Sequence, residues 1–191
     1  MNDSKKLNLG AGEDRQDGYI NIDWNDLTKP DIKHNLNQFP YPFPDSHFDE
    51  ILASHILEHL DRPFQVMTEL HRILKPNGHL IIKVPHFSRG FTHAEHNHGF
   101  DVSFPKYFDK NFTKSGFYGV EFELQDLKLH WAAFSHLLTY YGYGKGLTAV
   151  IRFLSFIFSF LANLSPNFCS RVWCFWVGGF EEIRFKFICK K

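Results

Sequence analysis

The sequence predicts an α/β fold: a Rossmann-like, doubly wound, mostly parallel sheet with a closing carboxyl-terminal strand and a helical, aromatic-rich insertion before it. Three observations carry the prediction. Apolar Leu7-Asn8-Leu9 runs into Gly10-Ala11-Gly12, and a second strand, Tyr19-Ile20-Asn21-Ile22, ends on Asp23. Downstream, apolar runs of strand length alternate with segments of helical period, the pattern of a sheet joined by crossovers. Near the end Ile183, Phe185, Phe187 and Cys189 alternate with Arg184, Lys186 and Ile188, which reads as the last strand.

Taken in order, strands are expected at 5–9, 19–23, 32–35, 48–54 and 79–85. Between the last two, Pro63 suits the first turn of a helix, where a missing N–H costs nothing. Val66, Leu70, Ile73 and Leu74 recur at helical spacing, and Pro76-Asn77-Gly78 is the expected stop. A second helix is expected after Ser103 and Pro105, ending near Ser115-Gly116. Val120, Phe122 and Leu124 then alternate, as do Leu127, Leu129 and Trp131 in the opposite phase, so a bulge or turn is expected at Gln125-Asp126. One domain over 1–191 is expected, its insertion or cap near 132–179.

The first two strands also suggest a ligand. Glycines let the backbone approach a bound group where a Cβ would collide. Asp23, ending the second strand, is placed to accept hydrogen bonds from both hydroxyls of a ribose. Only thirteen residues separate Gly10 from Asp23, against roughly twenty in the dinucleotide pattern. The first crossover therefore has room for little more than a stub of helix. A pyrophosphate wants a full helix amino terminus beside the glycines, so an adenosine ligand without phosphates is favoured over NAD or FAD.

Three further blocks follow: Phe39-Pro40-Tyr41-Pro42-Phe43-Pro44-Asp45-Ser46-His47-Phe48-Asp49-Glu50-Ile51, then Ser54-His55-Ile56-Leu57-Glu58-His59-Leu60, then Leu70-His71-Arg72-Ile73-Leu74-Lys75-Pro76-Asn77-Gly78-His79-Leu80. With these, the chain resembles a class I S-adenosylmethionine-dependent methyltransferase of the methyltransferase type 11 group, firmly over residues 5 to about 86. The resemblance implies an antiparallel last strand, S-adenosylmethionine as cofactor and a small-molecule substrate. It places Gly10, Ala11 and Gly12 at the amino-acid end of the cofactor and Asp23 at its ribose. Asn35-Leu36 stands where relatives carry an acid and Leu for the adenine, and Ser54 and His55 face the same crevice near the sulfur. An Asn carbonyl oxygen also accepts a hydrogen bond, so the departure at Asn35 is tolerable.

Methyl transfer asks mainly for alignment, because the sulfonium is already activated. A hydroxyl or carbon acceptor also needs a base. His86, after the fifth strand, and His98, where relatives often keep a Thr-His pair, are the candidate catalytic bases, while His93, His96 and Asp101 mark the substrate mouth. The alternative is a zinc-dependent hydrolase, since His55-Ile56-Leu57-Glu58-His59 spells the inverted zinc-peptidase motif. On a helix His55 and His59 would share a face with Glu58 beside them, and a third ligand could come from 93–98. The motif begins where a methyltransferase needs its cofactor-facing turn, so no metal is expected. A non-catalytic relative that binds S-adenosylmethionine is the third class, suggested by the short first crossover and the lack of helices ahead of the first strand.

Composition narrows the partners. The 21 basic and 21 acidic residues balance, which leaves no electrostatic footprint for nucleic acid. Exocyclic amines of bases are also disfavoured, because Ser54-His55-Ile56-Leu57 replaces the Asn/Asp-Pro-Pro-aromatic run that such enzymes carry. Cys169, Cys174 and Cys189 form neither a disulfide framework nor a zinc knuckle, and the polar start lacks an apolar signal core, so a cytoplasmic location is expected. Within 147–164, Thr148, Arg152, Ser155, Ser159 and Asn163 make one polar stripe on an otherwise apolar helix too short to span a bilayer. It is expected to cap the sheet and roof the site, or else to give 147–177 a peripheral membrane contact and a lipophilic acceptor. A homo-oligomer is a further expected partner state, since another subunit could close a site left open by the missing helices.

Overall fold

The computed structural model describes residues 5–90, 93–114 and 116–191. Its strands are β1 (Lys6–Leu9), β2 (Ile20–Asp23), β3 (Ile32–Lys33), β4 (Phe48–Ser54), β5 (Leu74–Pro85), β6 (Glu121–His130) and β7 (Glu182–Lys190). Its helices are α1 (Pro63–Ile73), the single turn α2 (Phe87–Gly90), α3 (Lys145–Ala162) and α4 (Pro166–Arg171). The strands form one sheet in the order β3-β2-β1-β4-β5-β7-β6. Neighbours from β3 to β5 are parallel, and β7 runs antiparallel to both β5 and β6. The order reverses at β1, so the carboxyl ends of β1, β2 and β4 open on a common crevice.

One sheet face makes the core. Leu7, Leu9, Ile51, Ala53, Leu80, Ile82, Val84, Ile183 and Phe185 are fully buried. α1 lays Val66, Met67, Leu70 and Ile73 against this core, as its helical period requires. The opposite face carries Glu50, Leu52, His79, Ile81, Lys83, Arg184 and Lys186, half-buried or exposed. Helical cover is uneven because the first crossover is built of turns and the second holds only a 3-10 turn, Asp26–Thr28. The expected bulge is present: the β6 to β7 register shifts between Leu124 and Asp126.

Two boundaries differ from expectation. Pro76-Asn77-Gly78 lies inside β5 rather than ending α1, with Asn77 at φ 61° where the β4 to β5 register shifts. The strand takes over at Leu74 because its residues find partners in β4 at once. The helix expected after Pro105 is a 3-10 turn, Phe104–Phe108. Its aromatic side chains pack inward on Phe64 and Phe122, and its expected end at Ser115 lies outside the described residues.

The cap at 132–179 is sided opposite to a soluble helix. Ser155 Oγ accepts from Ala132 N–H (3.2 Å), Ser159 Oγ from Trp131 N–H (3.0 Å) and Asn163 Oδ1 from Leu129 N–H (2.9 Å). Asn163 Nδ2 donates back to Leu129 C=O at 2.9 Å. The polar stripe thus satisfies the free edge of β6, groups that would otherwise invite a foreign strand. The apolar face of α3 is left outside, with Phe153, Phe156 and Phe160 each at least 60% exposed. α3 therefore lies along the sheet edge opposite β3 and does not roof the crevice.

Candidate functional site

The crevice is built by backbone constraints at three strand ends. After β1, Gly10 (φ 65°) and Gly12 (φ 49°) turn the chain through the left-handed region, open to glycine at no steric cost. At Gly10 the glycine is required twice over, since a Cβ there would stand 2.4 Å from Ile56 Cγ1. Asp23 ends β2 nearly buried, its Oδ2 accepting from Gly12 N–H and its Oδ1 from Asn25 N–H, both at 2.9 Å. Each oxygen keeps a further lone pair for a ligand hydroxyl. Asn8 and Asn21, buried and joined at 3.0 Å, hold the helix-free crossover beneath.

Gly10, Asp23, Asn35 and Leu36 line a cavity of about 270 Å³ together with Trp24, Asn37, Ile56, His59 and Leu60. Its chemistry fits an adenosine: Leu36, Ile56, Leu60 and Trp24 give apolar and aromatic walls, with a carboxylate at one side and side-chain amides at the other. Asn35 Oδ1 already accepts from Asn37 N–H at 3.0 Å, so its turn geometry shares that oxygen. Ala11 is buried and donates its N–H to Ile22 C=O at 3.1 Å, beneath the crevice rather than on its wall. Sequence reasoning passed over Trp24, whose signal was a large aromatic directly after the β2 acid. It also missed Ile56, detectable only through its contact with Gly10.

Ser54 and His55 do not line this cavity. The chain bends at His55, φ 52°, and sends its imidazole towards β7, where Nε2 meets Glu182 Oε2 at 2.9 Å and Nδ1 lies 3.3 Å from Glu58 Oε1. Burial opposes charge on His55, but the two carboxylates outweigh it and raise its pKa to about 9. The same bend dissolves the hydrolase constellation. Leu57–His59 is a 3-10 turn, not an α-helix, so His55 and His59 point to different neighbours. His59 faces the 93–98 loop, with its ring centroid 4.9 Å from His96 and 6.2 Å from His93.

The two candidate bases are placed differently. His86 is fully buried, with Nδ1 2.7 Å from Ser88 Oγ and Nε2 2.7 Å from Ser170 Oγ, and burial pulls its pKa down to about 4. It is a neutral strut between β5 and α4, out of reach of an acceptor, which corrects the catalytic expectation. His98 and Asp101 line a second cavity of about 230 Å³ with Phe64, Phe100, Phe104 and Tyr107. His98 Nε2 is buried there with no hydrogen-bond partner among the described residues. Asp101 Oδ1 accepts from Ser103 N–H at 2.7 Å, and Oδ2 pairs with Arg171 of α4 at 3.5 Å. His93 and His96 stack at 4.7 Å in the same loop, both rings against His59.

A mostly parallel sheet with its β7 reversal, a glycine turn after β1 and an acid ending β2 define a Rossmann-like fold with a nucleoside-sized crevice at its strand ends. Residues 11–82 match the model of the family described as "Methyltransferase domain". Solved structures agree in fold. A SAM dependent methyltransferase from Archaeoglobus fulgidus is 16% identical with TM-score 0.56, over 97% of this chain and 86% of that one. A methyltransferase of the same cofactor from Mesorhizobium loti is 11% identical with TM-score 0.55, over 96% and 90%. The cyclase SpnF is 14% identical with TM-score 0.54, over 98% and 75%. No curated protein matches by sequence. Residues 11–82 thus match a methyltransferase-domain model, and the chain shares the fold of solved S-adenosylmethionine-dependent methyltransferases, the relatives whose cofactor is S-adenosylmethionine.

Proposed function

We propose that the protein transfers a methyl group from S-adenosylmethionine to a small, lipophilic acceptor taken from a membrane surface. The observation that carries the transferase reading is the crevice at Gly10, Asp23 and Leu36, whose walls suit a nucleoside and whose turn provides no helix end for a pyrophosphate. When bound, the cofactor supplies an electrophilic methyl on sulfur. The chain's own task is to hold that end past Gly12 and to line up the acceptor. His59 lines the crevice, with His93 and His96 packed against it, and is the imidazole placed to take a proton from a hydroxyl acceptor; a thiolate or amine acceptor needs no such base.

The cap supports the lipophilic part. Residues 132–179 hold three of the chain's 21 basic residues, Lys145, Arg152 and Arg171, and none of its 21 acidic ones. Besides the α3 phenylalanines, Phe168, Phe175 and Trp176 are at least half exposed. An aromatic, acid-free face backed by cations suits an anionic bilayer interface. α3 lies flat there, because its polar stripe is bonded along β6, and its 18 residues reach only about 27 Å. Three buried, unbridged cysteines suit a reducing compartment.

Incubation with methyl-labelled S-adenosylmethionine and a cellular lipid extract tests the activity: label is expected in organic-soluble small molecules, and label confined to protein or nucleic acid would overturn the acceptor class. Flotation with vesicles containing anionic phospholipid tests the surface. The protein is expected to float, and Phe153→Ser/Phe156→Ser/Phe160→Ser to stay in the aqueous fraction. A wild-type chain that never floats would contradict membrane contact.

A further inference from the structure

We propose that Glu58, His59 and His96 form a binding site for a divalent transition-metal ion of the zinc class at the border of the crevice. The three side chains come from the turn after β4 and from the 93–98 loop, and their ligand atoms all lie within 4.8 Å of one another. Tetrahedral bonds of about 2.0–2.1 Å need ligand atoms about 3.3 Å apart. Small rotations of the two half-buried imidazoles close that difference.

Glu58 is the second, independent observation. It is fully buried, yet neither carboxylate oxygen has a hydrogen-bond partner among the described residues; His55 lies within ion-pairing distance but outside hydrogen-bond geometry. His55 pairs with Oε1, and Oε2 is left as a buried carboxylate oxygen that a bound cation would satisfy. The surroundings are built to hold the cluster. Asn97 N–H donates to Glu58 C=O at 2.8 Å and Asn97 Nδ2 to His59 C=O at 3.2 Å, pinning the loop to the turn. His59 Nδ1 donates to Glu95 C=O at 3.1 Å, which leaves Nε2 as the lone-pair nitrogen. A backbone carbonyl on the far nitrogen is a usual outer partner of a ligating histidine.

Two imidazoles and one carboxylate select borderline metals over calcium or magnesium, and three protein ligands leave positions for solvent or an acceptor oxygen. His59 belongs both to the cluster and to the crevice wall. The ion therefore stands where an acceptor must approach, and while it is bound the ligating His59 and His96 nitrogens do not act as bases. Its binding does not depend on methyl transfer and is read separately.

Chelator-treated full-length protein titrated with Zn²⁺ alone, and with Co²⁺ followed by visible absorption, tests the site. One ion per chain is expected, with Mg²⁺ failing to compete. His96→Ala, at a half-buried loop position, is expected to weaken binding at least about tenfold while the melting temperature in chelator stays unchanged; Glu58→Gln should do the same, checked for folding by circular dichroism. The site is refuted if folded wild-type protein takes up no stoichiometric ion, or if His96→Ala and His59→Ala both bind as wild type does.

Discussion

The crevice end of β1 and β2 and the free edge at β6 solve opposite problems. At the β1–β2 side the backbone turns back on itself, and a carboxylate and amides answer its N–H groups inside the protein. At the β6 side a helix satisfies the edge with Ser155, Ser159 and Asn163 and turns its phenylalanines outward. The first region is complete within the chain and its sequence is correspondingly restricted. The second leaves an apolar face exposed, the face on which the proposed membrane contact rests.

Substitutions separate the two most sharply at the glycines. Gly10→Ala combines left-handed backbone strain with a clash against Ile56 and is expected to cost about 3–4 kcal/mol in urea unfolding. Gly12→Ala meets nothing within 4 Å of its Cβ and should cost only about 1 kcal/mol, the strain alone. Equal losses would show that the Ile56 contact does not constrain this turn.

Between the two regions stands His86. Its folded pKa of about 4 lies below the ordinary 6.5, so the native state resists protonation. The stability it contributes is fully present above pH 6.5 and is lost as pH falls towards 4, by up to about 3 kcal/mol. Unfolding at pH 7.5 and 4.5 should show a larger acid loss in wild type than in His86→Gln. An equal loss would place the imidazole in water.

At the β6 edge, Asn163→Ala strands both Leu129 backbone groups and should cost about 2 kcal/mol. Phe156→Ser, seven residues earlier on the outward face, should change stability by less than about 0.5 kcal/mol while weakening vesicle binding. The reverse ranking would mean that α3 packs by its apolar side.

Much of this was legible in the residues. β1, β2, β4 and β7 fall where alternation put them, and the opposed phases around Gln125 announced the bulge. Asp23 could be set on a strand end because parallel strands fix where their carboxyl ends go, whereas Asn35-Leu36 was placed by the family resemblance. What stayed hidden depends on partners distant in sequence. His55 turns away from the crevice because Glu182 attracts it across 127 positions. His86 was read as a base because nothing near it in sequence reveals Ser170. The stripe on α3 was visible as a stripe, but period tells which residues share a face and not which way that face looks.

The account turns on an adenosine sulfonium occupying the crevice, and calorimetry on the full chain tests it most directly. Wild-type protein should bind both S-adenosylmethionine and its demethylated product. Asp23→Ala, folded by circular dichroism, should lose about 100-fold in affinity for each, as expected when hydroxyls lose a charged acceptor. A folded wild-type chain that binds neither, or an Asp23→Ala variant that binds both as before, would contradict it.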